Sequence, residues 1–321
     1  QLINFEANLE ARFESIDVDG VEVAMGGGRR HFIPRDVAFN VEKPADAGEE
    51  GDRTDGRNLP EEWLDQYGEG AVYVTDQAGF DAIDPATTAK VLGLFNESHM
   101  QYEADRGNDI AGEPSIAEMT GKAIDILDNN DQGFFLMVES GRIDHAHHAG
   151  NAAGALTDTI AFADAVRTAY ESTNPNETLI IVTADHSHVM TIGGYVTRGN
   201  PILGKAVYAP GADPYLAEDD LPFTTINYNN GRGFCDLGDE TDSDVGYGCP
   251  ITAGSRTDIS AVDTEAVGYH QEGLVPLTSE THSGEDITIH ATGPGASFAR
   301  GTVEQSMVYH IMNNARPLVA E

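Results

Sequence analysis

Acidic residues and histidines follow two apolar runs of this sequence, and their types suit metal binding. The run FFLMV is followed by Glu139 and, five residues further on, by Asp144 at the start of DHAHH. The run LIIVTA is followed directly by Asp185 and His186, and a third segment, SETHSGEDITIH, contains His282. Zinc takes imidazole nitrogen and carboxylate oxygen, whereas magnesium prefers oxygen alone. The three segments together predict a metal-dependent site.

The spacing of these residues supports that interpretation. Asp144 and His148 are four residues apart, so they share one face if a helix begins there. Glu139, at the end of an apolar run, suits a separate oxygen-rich site. Active sites of open α/β sheets lie at the carboxyl ends of strands, where charged groups beside the core must be paired or metal-bound. A lone Asp-His pair or histidine cluster is usually only a polar surface feature. We interpret the other histidines as structural or surface residues: His31, His99, His270, His290 and His310.

Short apolar runs bounded by turn residues predict strands, with helical patterns between them. The predicted strands are residues 21–25, 71–75, 133–138, 178–183 and 286–291. The predicted helices are residues 59–67, 85–94, 115–127, 152–170 and 303–313, and residues 1–14 also have an amphipathic helical pattern rather than that of a signal peptide. This alternation favours an α/β fold with a mostly parallel sheet covered by helices on both faces. The glycine cluster MGGGRR indicates a tight turn, since it lacks the P-loop and dinucleotide spacings.

The region from residue 191 to residue 280 interrupts this alternation. It is rich in Gly, Pro, Asn and Asp, and a loop of that length without its own organisation would be unusual. We therefore predict a main domain of residues 1–190 and 281–321 with residues 191–280 as an inserted subdomain. Cys235 and Cys249 lie in this insertion, and either a local disulfide or two thiols fits the sequence.

The charge of the chain is strongly negative. Asp and Glu total 54 against 18 Lys and Arg, which gives a formal net charge of -36. Such a surface repels nucleic-acid backbones, so a basic nucleic-acid groove is excluded, and any phosphate site must supply its own positive charge. A basic partner and adaptation to high salt both fit this composition. The acids are spread along the whole chain and Lys is scarce, which favours salt adaptation. No apolar run is long enough for a membrane span.

The motifs resemble those of the alkaline phosphatase family along nearly the whole chain, in the family's order. The segments that carry the resemblance are MGGGRRHFIP, TDGRNLPEEWL, VLGLFNESHMQYE, GFFLMVESGRIDHAHHAG, TLIIVTADHSHV, NYNNGRGF and ETHSGEDITIHATGPGA. The IDHAHH form is closest to the animal-type and marine bacterial enzymes. The resemblance implies a three-layer α/β sandwich with a crown-like insertion, a homodimer, a periplasmic or secreted location, and hydrolysis of phosphate monoesters with release of inorganic phosphate.

The resemblance also implies a role for each matching residue. Two zinc ions and one magnesium ion are implied, and a serine attacks phosphorus to give a phosphoserine. The implied ligands are Asp144, His148 and His282 for the first zinc, Asp185 and His186 for the second zinc, and Glu139 for magnesium. His145 is implied to lie behind the ligands, touching phosphate or a metal-bound water.

Several parts of the family pattern do not match this sequence. None of the residues before Gly26 matches the nucleophilic serine turn, and the early Asp shared by zinc and magnesium, the remaining magnesium ligands and the phosphate-binding Arg are also missing. We therefore expect the sequence to begin about a third of the way into the family domain and to hydrolyse little by itself. The acidic calcium ligand of animal-type members is replaced by Asn96, which argues against calcium there.

Two other classes of function also fit the residues. Sulfatases, nucleotide pyrophosphatases and cofactor-independent phosphoglycerate mutases share this metal scaffold, although Glu139 and the segment around His282 favour alkaline phosphatase. The second class is a non-catalytic, cation-binding module or pseudoenzyme, which the missing serine allows. The amount of bound zinc separates these classes, because a binding module with weakly held surface ions would not retain two zinc ions per chain.

Overall fold

A computed structural model describes residues 2–13, 20–234 and 256–315. The chain forms two compact units, one of residues 1–101 and 105–138 and one of residues 102–104 and 139–321. The predicted boundaries of the insertion are not tested by this division and stay a prediction. Cys235 and Cys249 lie outside the described residues. Across the described residues, every helix is too short or too polar to cross a lipid bilayer.

The first unit contains a parallel three-stranded sheet in the order β1-β3-β2. Its strands are β1 (Val23–Gly26), β2 (Ala71–Val74) and β3 (Lys90–Leu94). Its helices are α1 (Phe5–Arg12), α2 (Leu59–Tyr67), α3 (Gln77–Asp81) and α4 (Ile116–Leu127). Successive side chains of β3 point to opposite faces, so Val91 packs with Phe80 and Phe95 while Leu92 packs with Trp63. The parallel sheet and most of the helices predicted for this unit are therefore present.

Two predicted elements of the first unit differ in the structure. Residues 85–94, predicted as a helix, contain β3 instead, because a central strand buried on both faces has a continuous apolar run that resembles a buried helix. Residues 133–138, predicted as a strand, form no ladder with any described residue. Their exposure still alternates, with Phe135 and Met137 exposed.

The glycine cluster forms the predicted turn. Gly28 has a φ of 83° and precedes a short 3-10 turn over Arg29–His31. A Cβ on Gly27 would lie 2.2 Å from the carbonyl oxygen of Ser98, so the two backbone segments approach more closely than any side chain permits.

The described residues of the second unit form three small sheets and three helices. Its helices are α5 (Arg142–Ala149), α6 (Ala152–Ser172) and α7 (Met307–Ala315). Its strands are β4 (Ile180–Val182), β5 (Ser187–His188), β6 (Met190–Ile192), β7 (Ile226–Gly231), β8 (Gly273–Pro276), β9 (His282–Ser283) and β10 (His290–Thr292). Strand β4 pairs with β10, β5 pairs with β9, and β7 lies between β6 and β8. The last predicted strand is thus shifted toward its carboxyl end.

Arg29 is a buried cation that ties together three segments of the first unit. Its guanidinium donates to Glu50 Oε1 and Glu42 Oε1, both at 2.5 Å, and to the carbonyl oxygen of Leu94 at 2.7 Å. Burial alone would raise the pKa of Glu50, but hydrogen bonds from Arg29 and from the backbone of Val41 and Glu42 outweigh it and lower that pKa. The three charged groups therefore stabilise the unit only as a set.

Replacing Arg29 tests this interdependence. We expect Arg29→Met to lower the free energy of unfolding by about 3–5 kcal/mol, because removing one member of a buried ion pair leaves the other charges uncompensated. The matched control is Arg30→Met, since the half-exposed Arg30 lies 3.5 Å from exposed Asp52 and such pairs contribute less than about 1 kcal/mol. Urea unfolding measures both variants, and equal losses would contradict the prediction.

The buried position of His270 predicts a response of the second unit to pH. It is buried, its Nδ1–H donates to the carbonyl oxygen of Ala149 at 2.7 Å, and burial lowers its pKa. The folded chain therefore stays neutral at this position where an unfolded histidine, with a pKa of about 6.5, takes up a proton. This contribution to stability is complete above about pH 6.5 and is lost as the pH falls toward the lowered pKa of the folded chain.

We expect His270→Asn, which keeps a side-chain N–H donor, to lose less stability between pH 8 and pH 5.5 than the unmodified chain. Urea unfolding in the presence of a chelator measures this difference without contributions from metal release. A variant whose stability falls as steeply as that of the unmodified chain would rule out His270 as a source of the pH response.

Candidate metal centre

Helix α5 presents Asp144 and His148 on one face. His148 Nε2 lies 3.4 Å from Asp144 Oδ1, as the spacing of four residues predicts. The rotation of the helix is fixed by Ala146, which is buried against Tyr102 and Ala155 on another face. Gly150 caps the end of the helix, and its φ of 70° suits a residue without a side chain.

A ladder of only two residue pairs brings the other histidines to this face. In the antiparallel pair β5–β9, His188 lies opposite His282 and Ser187 lies opposite Ser283. Directly opposed residues of an antiparallel pair have neighbouring side chains. The ladder thereby joins segments that are far apart in the sequence.

Three potential ligand atoms from these elements meet at one point. His148 Nε2 lies 3.1 Å from His282 Nε2, and Asp144 Oδ1 lies 3.4 Å from each of these nitrogen atoms. A tetrahedral zinc ion with ligand bonds of 2.0–2.1 Å needs ligand atoms about 3.3 Å apart. Two imidazoles and one carboxylate are also a donor set that zinc accepts. The chemistry and spacing of the three residues therefore fit a zinc ion.

The tautomer of His148 suits the same role. Its Nδ1–H donates to the carbonyl oxygen of Glu280 at 2.7 Å, which leaves the lone pair of Nε2 directed to the meeting point. Metal-binding histidines usually donate their second ring N–H in this way. Asp144 Oδ1 is buried and accepts no hydrogen bond of good geometry from the described residues. An orphaned carboxylate oxygen of this kind is what a bound cation would satisfy.

His188 lies directly behind Asp144. Its Nε2 is 3.0 Å from Asp144 Oδ1, and its Nδ1–H donates to Glu280 Oε2 at 2.8 Å. Burial alone would lower the pKa of His188, but the carboxylates of Glu280 and Asp144 outweigh it and raise that pKa. The neighbouring His147 points elsewhere: its Nδ1 bonds the hydroxyl of Tyr228 at 2.8 Å, and burial lowers its pKa to about 4.

The two residues implied for a second zinc are placed differently from each other. The His186 ring stacks on the His282 ring with centroids 3.4 Å apart, and His186 offers a ligand atom within 4.8 Å of those of Asp144, His188 and His282. The side chain of Asp185 is largely exposed, and its Oδ2 lies 3.3 Å from His186 Nε2. Among the described residues, Asp185 belongs to no group of three or more ligand atoms.

Glu139 and His145 lie outside these groups of ligand atoms as well. Glu139 is exposed just before α5, and within the described ranges it has no set of ligand partners around it. His145 Nδ1 accepts from Arg142 Nη1 at 3.3 Å. The roles of these two residues in binding magnesium and contacting phosphate stay predictions.

Sequence reasoning missed two residues of this site, His188 and Glu280. His188 had a local signal, because it lies two residues after His186 and residues two apart in an extended segment share a face. The only local signal for Glu280 was its position two residues before His282, since its contacts with His148 and His188 arise from the tertiary fold.

The family model described as alkaline phosphatase matches residues 8–318 of the chain. The tissue-nonspecific alkaline phosphatase of Gallus gallus is 40% identical over 299 residues, which cover 92% of this chain and 53% of that protein. An alkaline phosphatase of Gadus morhua is 36% identical over 297 residues, covering 92% of this chain and 57% of that protein. The chain thus spans a little over half the length of these curated relatives.

The fold comparison agrees with the sequence comparison. The crystal structure of Thermus thermophilus alkaline phosphatase matches with a TM-score of 0.57 at 23% identity, covering 98% of this chain and 66% of that one. The predicted alkaline phosphatase-like α/β fold is therefore confirmed. By its family match, its relatives and its fold, the chain belongs to the alkaline phosphatase family.

Proposed function

We propose that the protein hydrolyses phosphate monoesters at a metal centre built on Asp144, His148 and His282. The observation that carries this proposal is the meeting of the three ligand atoms within 3.1–3.4 Å of one another. Membership of the alkaline phosphatase family supports this reaction class over the sulfatase-like alternatives. Zinc is the best-fitting ion for this donor set.

The residues of the chain supply binding and orientation. Asp144 would supply the negative charge that holds a cation, and His148 and His282 would supply imidazole nitrogen ligands. A zinc ion bound there would act as a Lewis acid and lower the pKa of water. His186 and Asp185 would extend the centre to a second zinc, and Glu139 would bind magnesium. No serine is assigned as the nucleophile, because none of Ser140, Ser187 and Ser283 matches its position in the family.

The remaining features of the family stay predictions for this protein. They are a homodimer, a periplasmic or secreted location, adaptation to high salt and a phosphoserine intermediate. An absence of calcium at Asn96 also stays a prediction. It is supported by the hydrogen bonds of the Asn96 amide, whose nitrogen donates to Glu113 Oε1 at 2.8 Å and whose oxygen accepts from the backbone N–H of Ser98 at 3.1 Å.

Zinc binding is the direct test of the ligand assignment. We expect Asp144→Asn, His148→Gln and His282→Gln each to weaken zinc binding at least 100-fold, because three protein ligands hold the ion and each substitution removes one. Competition with a chromophoric chelator measures the affinity. His290→Gln is the matched control, since His290 is exposed on β10 and offers no ligand atom to these groups. Equal affinities of the ligand variants and the control would refute the assignment.

Activity of the intact protein tests the reaction class. With zinc and magnesium present, we expect only slow hydrolysis, because no serine of this chain is assigned as the nucleophile, but the rate with 4-nitrophenyl phosphate should still exceed that with 4-nitrophenyl sulfate at least 100-fold. His282→Gln should lower the phosphatase rate by a similar factor, whereas His290→Gln should not. A preference for the sulfate would instead indicate a sulfatase, and zinc binding without hydrolysis of either ester would indicate a binding protein.

A further inference from the structure

Glu280 is a buried acid whose polar groups contact two other segments of the metal centre. Its side chain is 1% exposed. The backbone N–H donates to the carbonyl oxygen of His148 at 3.1 Å, and the backbone carbonyl accepts from His148 Nδ1 at 2.7 Å. The carboxylate accepts from His188 Nδ1 and from the backbone N–H of Val189, both at 2.8 Å. Glu280 therefore connects α5 and β5 from a position just before β9.

One histidine, His188, connects the carboxylate of Glu280 to the metal centre. His188 bridges the carboxylates of Glu280 and Asp144, with its two ring nitrogens 2.8 Å and 3.0 Å from their oxygens. An acid buried to this degree is costly unless each oxygen is hydrogen-bonded, and here both are. The orientation of His188, and with it the position of Asp144 Oδ1, depends on this acid.

Direct ligation by Glu280 is the competing interpretation. Glu280, His148 and His188 do offer ligand atoms within 4.8 Å of one another. However, the Nδ1 atoms of both histidines already donate hydrogen bonds to Glu280. A metal ion at that point would have to displace both bonds, so the geometry favours a hydrogen-bonding role.

We propose that Glu280 is the positioning residue of the metal centre, which orients His188 against Asp144 and thereby raises the affinity for zinc. The inference rests on the proposed metal centre of Asp144, His148 and His282. Groups that hydrogen-bond metal ligands from behind typically change metal affinity 10–100-fold when they are removed. The backbone contacts of Glu280 with His148 do not depend on its side chain, so the effect runs through His188.

The test is Glu280→Gln in the intact protein, with zinc affinity measured by chelator competition. We expect zinc binding to weaken about 10–100-fold. We also expect the visible absorption of the cobalt-loaded protein to change, because the geometry of the Asp144 carboxylate changes. The matched control is Glu272→Gln, which removes another partly buried acid of the same unit, paired with Arg256 at 3.2 Å. The zinc affinity of this control variant should stay within about 3-fold of that of the unmodified protein, because the carboxylate of Glu272 has no contact with the site residues.

A double variant separates positioning from general stability. His188→Asn should weaken zinc binding to a similar degree, and combining it with Glu280→Gln should add little, because both substitutions break the same path of contacts from Glu280 through His188 to Asp144. Unfolding in the presence of a chelator checks that each variant is folded. If Glu280→Gln does not fold, His188→Asn alone carries the test, since it keeps Glu280 in place.

The outcomes distinguish this inference from the proposed function. An unmodified protein that binds no zinc would overturn the metal centre itself. Zinc binding by the unmodified protein, together with an unchanged affinity and cobalt spectrum in Glu280→Gln or His188→Asn, would overturn only the role of Glu280. Additive losses in the double variant would likewise contradict a shared path through His188.

Discussion

The candidate metal centre of the second unit is arranged around one carboxylate oxygen, Asp144 Oδ1. It is buried and lies within 3.4 Å of the Nε2 atoms of His148, His188 and His282. Water reaches the rest of the Asp144 side chain but not this oxygen, so the oxygen needs a hydrogen-bond donor or a cation as its partner. The packing of α5, the ladder between β5 and β9, and the burial of Glu280 all serve to hold imidazoles around this atom.

The two units satisfy their buried acids in different ways. In the first unit, the guanidinium of Arg29 contacts Glu42 and Glu50 and remains charged at any physiological pH. In the second unit, histidines surround the acids, and neutral imidazole can give its lone pair to a cation. This difference matters in a chain with a net charge of -36, whose surface repels anionic substrates. In the proposed function, cations held by the histidines supply the local positive charge that phosphate requires.

The parts of the structure that sequence could predict are those governed by neighbouring residues. Helix α2 matches its predicted range of residues 59–67, and the spacing of Asp144 and His148 was enough to place both on one face. Strand β3 was mistaken for a helix because burial on both faces removes the alternation that identifies a strand. The parts played by His188 and Glu280 could not be predicted, since their partners are supplied by segments far away in the sequence.

The short ladder between β5 and β9 has a consequence for how such a chain can diverge. His188 and Glu280 are 92 residues apart, yet the register that aligns them is set by two opposed pairs. A shift of the strand register by one residue would turn His282 to the opposite face. A single deletion beside the ladder would therefore remove His282 from the metal centre. Insertions deeper within the intervening segment leave that register untouched. The segment can therefore gain residues in its loops, provided that its two ends and the contacts of Tyr228 and His270 with α5 are preserved.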